Sequence, residues 1–277
     1  MGRAKRIEQE GAIYHIISKA VNEENVFKKD EDYKYFLELA CNIFIKNQVM
    51  LLSFALMKNH YHLLIKTGKA NLSEIMQEVN SKYAHHFNSL YMRNGHLFND
   101  RYRSYLIKND DYFITAFVYI NLNPLEANLV KQPEDYRWCS FRYFKERANA
   151  PKCLNFQEIS RLTGIEIAKI PQFISANASK FNDYKKEVKE YNSERETKKI
   201  KKIFLEINSK YSDVANKKEL KYLIIYALYL RHYRLLDISS ALGIHYQTIA
   251  SIRNKAEKRS LSDSIFNEWL EKISKDF

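Results

Sequence analysis

The stretch Phe54-Ala-Leu-Met-Lys-Asn-His-Tyr-His-Leu-Leu-Ile65 decides the fold. It holds two short apolar runs, with Lys58-Asn59 between them as a tight connection would be. Val49 to Met57 reads as one strand and Tyr61 to Lys66 as the next. Upstream, Ala12-Ile-Tyr-His-Ile-Ile-Ser18 is a β-branched, aromatic run and reads as another strand. Between them, Asp30 to Asn47 carries Tyr33, Phe36, Leu37, Ala40 and Ile43 on one helical stripe. Downstream, Leu72 to Met92 is helical, with Ile75, Met76, Val79, Tyr83 and Phe87 on one face, and Asn94-Gly95 ends it. Tyr102 to Ile107 is strand-like. Asp110 then caps a helix over Asp111 to Asn121, which Pro124 should stop. The order β-α-β-β-α-β with an appended helix predicts an α+β, ferredoxin-like domain: an antiparallel sheet with helices on one face.

Composition limits what such a chain can do. It has 277 residues, 45 Lys+Arg against 33 Asp+Glu, a formal net charge of +12 and 45% hydrophobic residues. The apolar fraction builds a real core and argues against wholesale disorder. Six glycines and four prolines exclude collagen-like and Pro/Gly-rich architectures. The charge favours a polyanionic partner, nucleic acid before anionic membrane. No apolar run approaches the ~20 residues that cross a bilayer. Met1 to Ile7 is charged, with no apolar segment of a secretory signal. Cys41, Cys139 and Cys153 are scattered and suggest no disulfide framework, with Cys41 and Cys139 read as buried rather than nucleophilic. Together these features point to the cytoplasm.

His60-Tyr61-His62 is the sharpest chemical feature. Histidines at i and i+2 on a strand project to the same face, where both imidazoles can reach one metal ion. The plainer alternative is one histidine at the turn and one in the core. On the following helix, Tyr119 and Asn123 stand at i and i+4 and share a face. A tyrosine hydroxyl there could attack a phosphodiester, and Asn123 could add an oxygen ligand. His15 could lie beside them on the first strand, with a structural role as the default. His85-His86 and His96 read as surface, core or loop-ordering residues. Lys5, Arg6, Arg101, Arg103 and Lys108 form local basic groups suited to phosphate, or to ordinary solvation.

These blocks together resemble the HUH single-tyrosine transposases, in particular the REP-associated tyrosine transposase group. The resemblance runs over about residues 10–145 and includes Gly11 to Ser18, the Phe54–Ile65 stretch and Gly95-His-Leu-Phe-Asn-Asp-Arg101. It continues through Tyr119-Ile-Asn-Leu-Asn-Pro124 and Pro133 to Tyr143. Two loops depart from the pattern. Met57-Lys-Asn59 stands where the family often has Met-Pro-Asn, and Lys19-Ala-Val-Asn22 where an Arg-Gly-Asn-like sequence is common. The resemblance implies DNA cleavage on single-stranded or hairpin DNA through a 5′-phosphotyrosine on Tyr119. His60, His62 and Asn123 would hold a divalent metal, Mg²⁺ or Mn²⁺. From ligand chemistry alone, two imidazoles would suggest Zn²⁺ or Mn²⁺, so Mg²⁺ rests on the family.

The remainder of the chain is more basic. Residues 149–277 carry 24 of the basic and 16 of the acidic residues. Breaks are expected near 146–152, around Pro151, and near 192–202, in the charge-rich Ser193 to Lys199 run. This gives a catalytic domain over 1–148, a helical connector over 149–200 and a DNA-binding domain over 201–277. Residues 153–192 read as amphipathic helix without assigned chemistry. Residues 217–258 read as a helix-turn-helix unit with a turn at Gly243. They resemble the helix-turn-helix of the DnaA C-terminal domain. Its second helix would offer Gln247, Thr248, Ser251, Arg253 and Lys255 to DNA. The alternative is a bundle with a polar face. The leading expectation is thus a tyrosine transposase or single-strand endonuclease. A catalytically silent DNA-binding regulator comes second, and an RNA-binding protein last, for want of the aromatic recognition motif. A monomer and a homodimer both fit.

Overall fold

Four strands, β1 (Ile13–Lys19), β2 (Met50–Met57), β3 (His60–Lys66) and β4 (Arg103–Ile107), form an antiparallel sheet in the order β2-β3-β1-β4. The computed structural model describes residues 8–99, 101–211, 217–231, 233 and 235–275. The chain divides into two compact units, Met1–Lys185 and Lys186–Phe277.

In the first unit, α1 (Asp30–Lys46) and α2 (Leu72–Leu90) pack on each other and on one face of the sheet. That face is closed by aromatic rings: Phe36 lies 4.8 Å from Tyr61 and meets Tyr83 edge-on at 5.1 Å. The Asp32 carboxylate accepts from the backbone N–H groups of Lys28 and Lys29 and from the Tyr91 hydroxyl, fixing the start of α1 and joining it to the end of α2.

The appended helix α3 (Asp110–Glu126) takes the opposite face, packing on β2 and β3. The Asn109 side chain accepts from the Tyr112 N–H and caps it, one residue earlier than the Asp110 cap the sequence suggested. The helix also runs through Pro124 instead of stopping before it. Proline cannot donate to the Ile120 carbonyl one turn back. The Cys139 thiol approaches that oxygen at 3.9 Å, and only two helical residues follow Pro124. A buried polar set pins α3 to β2. The Asn121 amide donates to Ser53 Oγ (3.0 Å), Ser140 Oγ donates to Asn121 Oδ1 (2.8 Å), and the two serine hydroxyls are 2.9 Å apart.

The cysteines require a correction. Cys41 on α1 is disulfide-bonded to Cys153, 112 residues away. Spacing along the chain concealed the pair. The 153–155 segment runs back beside the start of β2, where the Leu51 N–H donates to the Cys153 carbonyl and the Asn155 N–H to that of Leu51. Cys139 is a buried free thiol, pushed up to about 12 by burial and hence inert.

Two short helices follow, α4 (Phe156–Thr163) and α5 (Ile170–Ala176). The next, α6 (Lys180–Lys210), is continuous across 192–202, where the charge-rich run had suggested a break. Its Lys and Glu residues are good helix formers, in keeping with a helical connector. The second unit holds α7 (Lys217–Leu230), α8 (Leu235–Leu242), α9 (Tyr246–Ser260) and α10 (Ser264–Ser274). Leu220, Ile224, Ile238, Ile249, Ile252 and Phe266 belong to its own apolar core. Gly243 has φ +63°, and the Ile244 N–H donates back to the Ser239 carbonyl. This is a Schellman ending for α8, which a glycine makes without strain. Among the described residues, no helix is long and apolar enough to cross a membrane.

Candidate active site between the sheet and its third helix

Strand alternation puts Tyr61 and His62 on opposite faces. Tyr61 enters the aromatic face and donates to Asn80 on α2. His60 and His62 share the other face, ring centroids 5.0 Å apart, beneath α3. Register extends that face across the sheet. Lys19 pairs with His60, Ile17 with both His62 and Arg103, and His15 with Tyr105, so Lys19, His15, Tyr105 and Arg103 all lie on the histidine side.

Tyr119 descends from α3 onto this face. Its ring meets His62 edge-on at 5.6 Å and His15 at 5.9 Å. One turn along α3, Asn123 shares the helix face of Tyr119. Burial raises the Tyr119 pKa above its ordinary value, and Asn123 partly offsets this. The phenol thus needs a nearby positive charge to become a phenolate.

The histidines are neutral near pH 7. Burial lowers His60 to about 4, with Lys19 adding repulsion, and lowers His15 to about 3. His62 is held well below 6.5 by burial, then by His60, His15 and Lys19. Each of the pair has its Nδ1 engaged. His60 Nδ1 is 2.7 Å from Asn59 Oδ1, and His62 Nδ1 is 2.9 Å from His15 Nε2. His62 Nε2 is buried without a hydrogen-bond partner among the described residues. An orphaned buried nitrogen costs roughly 1–3 kcal/mol, which a protein tolerates where the atom has another use.

The donor set fits a divalent cation that keeps open positions: two neutral imidazoles and a nearby amide. Nitrogen donors suit Mn²⁺ or Zn²⁺ better than Mg²⁺. Among the described residues, no group of three His, Cys, Asp or Glu side chains forms a metal cage.

Several residues at the site carry no local sequence signal. Phe181 on α6 stacks on Tyr119 at 4.8 Å, and Tyr184 lies 5.0 Å from the same ring. Lys180 pairs with Asp111, tying the start of α6 to the start of α3. Lys19, exposed at the end of β1, pairs with His60, and partial desolvation lowers its pKa, with Arg103 adding to the shift. Register alone could have found Lys19, because it follows once β1 is aligned with β3.

The other sequence candidates scatter. Arg101 and Lys108 are exposed, and Lys5 and Arg6 lie outside the described residues. His86 stacks on Tyr35 at 3.7 Å, beside His85 in a surface cleft. His96 is exposed, and its carbonyl accepts from Arg93. In the second unit, Gln247, Thr248, Ser251 and Lys255 lie exposed on α9. Arg253 is turned aside, paired with Glu257 at 2.9 Å and placed over the Tyr229 ring.

The sheet places paired histidines opposite a helical tyrosine. Residues 8–123 match the model of the family described as "Transposase IS200 like". Among solved structures, the chain is similar to a REP-associated tyrosine transposase bound to a REP hairpin. There the identity is 15%, the TM-score 0.46, and the match covers 56% of this chain and 92% of the other. A protein of Deinococcus radiodurans R1 assigned as a transposase matches at 19% identity and TM-score 0.31, over 40% of this chain and 88% of the other. The tRNA(His) guanylyltransferase of Saccharomyces cerevisiae matches at 13% and 0.32, over 62% and 79%. Likeness at this level carries nothing about activity. No curated protein matches the chain.

Proposed function

We propose that the first unit is a metal-assisted DNA endonuclease and strand-transferase acting on single-stranded or hairpin DNA, with Tyr119 as nucleophile. The observation that carries this reading is the Tyr119 ring lying edge-on to His62, whose Nε2 is buried and unpartnered. His60 and His62 would hold a divalent cation through Nε2, with Asn123 as a further ligand. When bound, Mn²⁺ or Mg²⁺ would polarise the scissile phosphate and offset charge developing on its oxygens.

The chain's own residues do the rest. Lys19 and Arg103, on the same face, bind the phosphate oxygens. The Phe181 ring stacked on Tyr119 holds the phenol toward phosphorus. Tyr119 Oη bonds to phosphorus as the bond to the 3′ oxygen breaks. The phenolic proton leaves to solvent, and the departing oxygen takes one up. The product is a 5′-phosphotyrosine and a free 3′-OH, which can later attack such a link and rejoin strands.

In the second unit, the start of α9 presents Gln247, Thr248, Ser251 and Lys255 to duplex or structured DNA, with Arg253 available if its pair with Glu257 opens. Binding should weaken steeply with salt, because the basic excess of this half releases counterions. Monomer and homodimer both satisfy this reading.

The test is a labelled hairpin with a single-stranded flank, incubated with protein and Mn²⁺ or Mg²⁺. A covalent adduct is expected, lost in Tyr119→Phe and in His60→Ala or His62→Ala. Binding without an adduct across substrates would make the protein a silent DNA-binding regulator. A metal-dependent cut without an adduct would make water the nucleophile.

A further inference from the structure

Two fully buried side chains at this centre, His15 and Tyr184, take no part in the cleavage chemistry. His15 on β1 is wholly enclosed, its ring stacked on His62 at 5.2 Å and 25°. Its Nδ1 lies 2.7 Å from the Tyr184 hydroxyl, and its Nε2 lies 2.9 Å from His62 Nδ1. The Tyr112 ring lies 5.3 Å from that of Tyr184. The hydrogen bonds form one line: His62, His15, Tyr184.

Two neutral imidazoles joined nitrogen to nitrogen share one proton, so the line can point in only two directions. In one, His15 donates to His62 Nδ1. His62 then carries its proton on Nε2, as a buried N–H with nothing to receive it and no lone pair for a metal. In the other, His62 Nδ1–H donates to His15 Nε2 and His15 Nδ1–H donates to the Tyr184 oxygen. Only this direction leaves His62 Nε2 as a bare lone pair.

We propose that His15, backed by Tyr184, is a positioning residue that fixes the His62 tautomer and presents His62 Nε2 to a divalent cation. The proposal rests on reading His60 and His62 as metal ligands. Metal-bound histidines commonly donate their second nitrogen to a carboxylate or a carbonyl. A neutral histidine–tyrosine line does the same orienting work without placing a negative charge under a site that must receive a phosphate anion. It also makes α6, which supplies Tyr184, part of the metal site's support.

The experiment uses the full chain and Mn²⁺ alone. Long-range nitrogen-15 correlation spectra of the metal-free protein read each histidine tautomer directly, and paramagnetic resonance of free Mn²⁺ reads affinity. The expected wild-type spectrum has His62 protonated on Nδ1 and bare on Nε2. His15→Leu should weaken Mn²⁺ binding roughly 10- to 100-fold and release the His62 tautomer. His15→Gln should restore most of the affinity, since its carbonyl can accept from His62 and its amide can donate to Tyr184. Tyr184→Phe should weaken binding by less, about 3- to 10-fold. It is the deciding variant if His15→Leu fails to fold.

A wild-type His62 protonated on Nε2 overturns the proposal. So does unchanged Mn²⁺ affinity with an unchanged tautomer in folded His15→Leu or Tyr184→Phe. Failure of the underlying metal reading looks different: wild type, His60→Ala and His62→Ala would all bind Mn²⁺ equally poorly, while the tautomer stayed readable.

Discussion

The two faces of the β1–β3–β4 region differ by one step along a strand, and they do opposite work. Tyr61 faces a layer of aromatic rings where its hydroxyl is bonded and its ring is fully enclosed. His62, the next residue, faces two imidazoles, the buried His15 and the half-buried His60, and a tyrosine, and its own Nε2 is unpartnered among the described residues. The first face packs as a core, its one cost being the buried Ser18 Oγ beside Tyr61, whereas on the second the unpartnered atom is an imidazole nitrogen next to a tyrosine ring. It is that nitrogen, a potential ligand, which the proposed function uses.

Substitutions on the two faces should separate those roles. His60→Ala, on the chemical face, should lower cleavage by about 10⁴-fold, or ~5 kcal/mol of barrier, with little change in the urea midpoint. Tyr61→Ala, on the packed face, should cost about 3–5 kcal/mol in urea unfolding, because a fully buried ring is lost. If Tyr61→Ala left stability intact, or His60→Ala unfolded the protein, the division of labour would be wrong. Ser140→Ala should cost about 1–3 kcal/mol, since it strips partners from Asn121 and Ser53 and loosens α3 on β2. Cleavage should fall with it, because α3 carries Tyr119.

The smallest effect is a pH-dependent one. Arg161 and Lys66 hold the Glu158 carboxylate near pKa 2, below its ordinary 4.5. A depressed acid contributes stability above its unfolded pKa and loses it as pH falls through the folded value. Glu158→Gln should therefore cost roughly 1 kcal/mol at pH 7, after discounting for the exposed Arg161. The difference should shrink below pH 4.5 and vanish near pH 2, as thermal melts across that range can show.

Local pattern carried most of this geometry. Two apolar runs about Lys58-Asn59 specified the hairpin, a period of two placed His60 and His62 together, and a period of 3.6 paired Tyr119 with Asn123. What local pattern could not carry was contact across long intervals. Tyr184 reaches His15 over 169 residues, and Cys41 reaches Cys153 over 112. Neither pair leaves a periodic trace. Pro124 misled for a related reason: its missing donor is compensated by Cys139, from a segment beyond the helix. Lys19 falls between these cases, invisible in its own strand and evident once β1 is aligned with β3.

The central claim is that Tyr119 forms the covalent bond to DNA. The most direct measurement is mass spectrometry of proteolysed adduct, formed with hairpin single-stranded DNA and Mn²⁺. The account predicts a nucleotide-bearing peptide with the modification on Tyr119. Modification mapping instead to Tyr105, Tyr112 or Tyr184, or cleaved DNA with every tyrosine peptide unmodified, would contradict it.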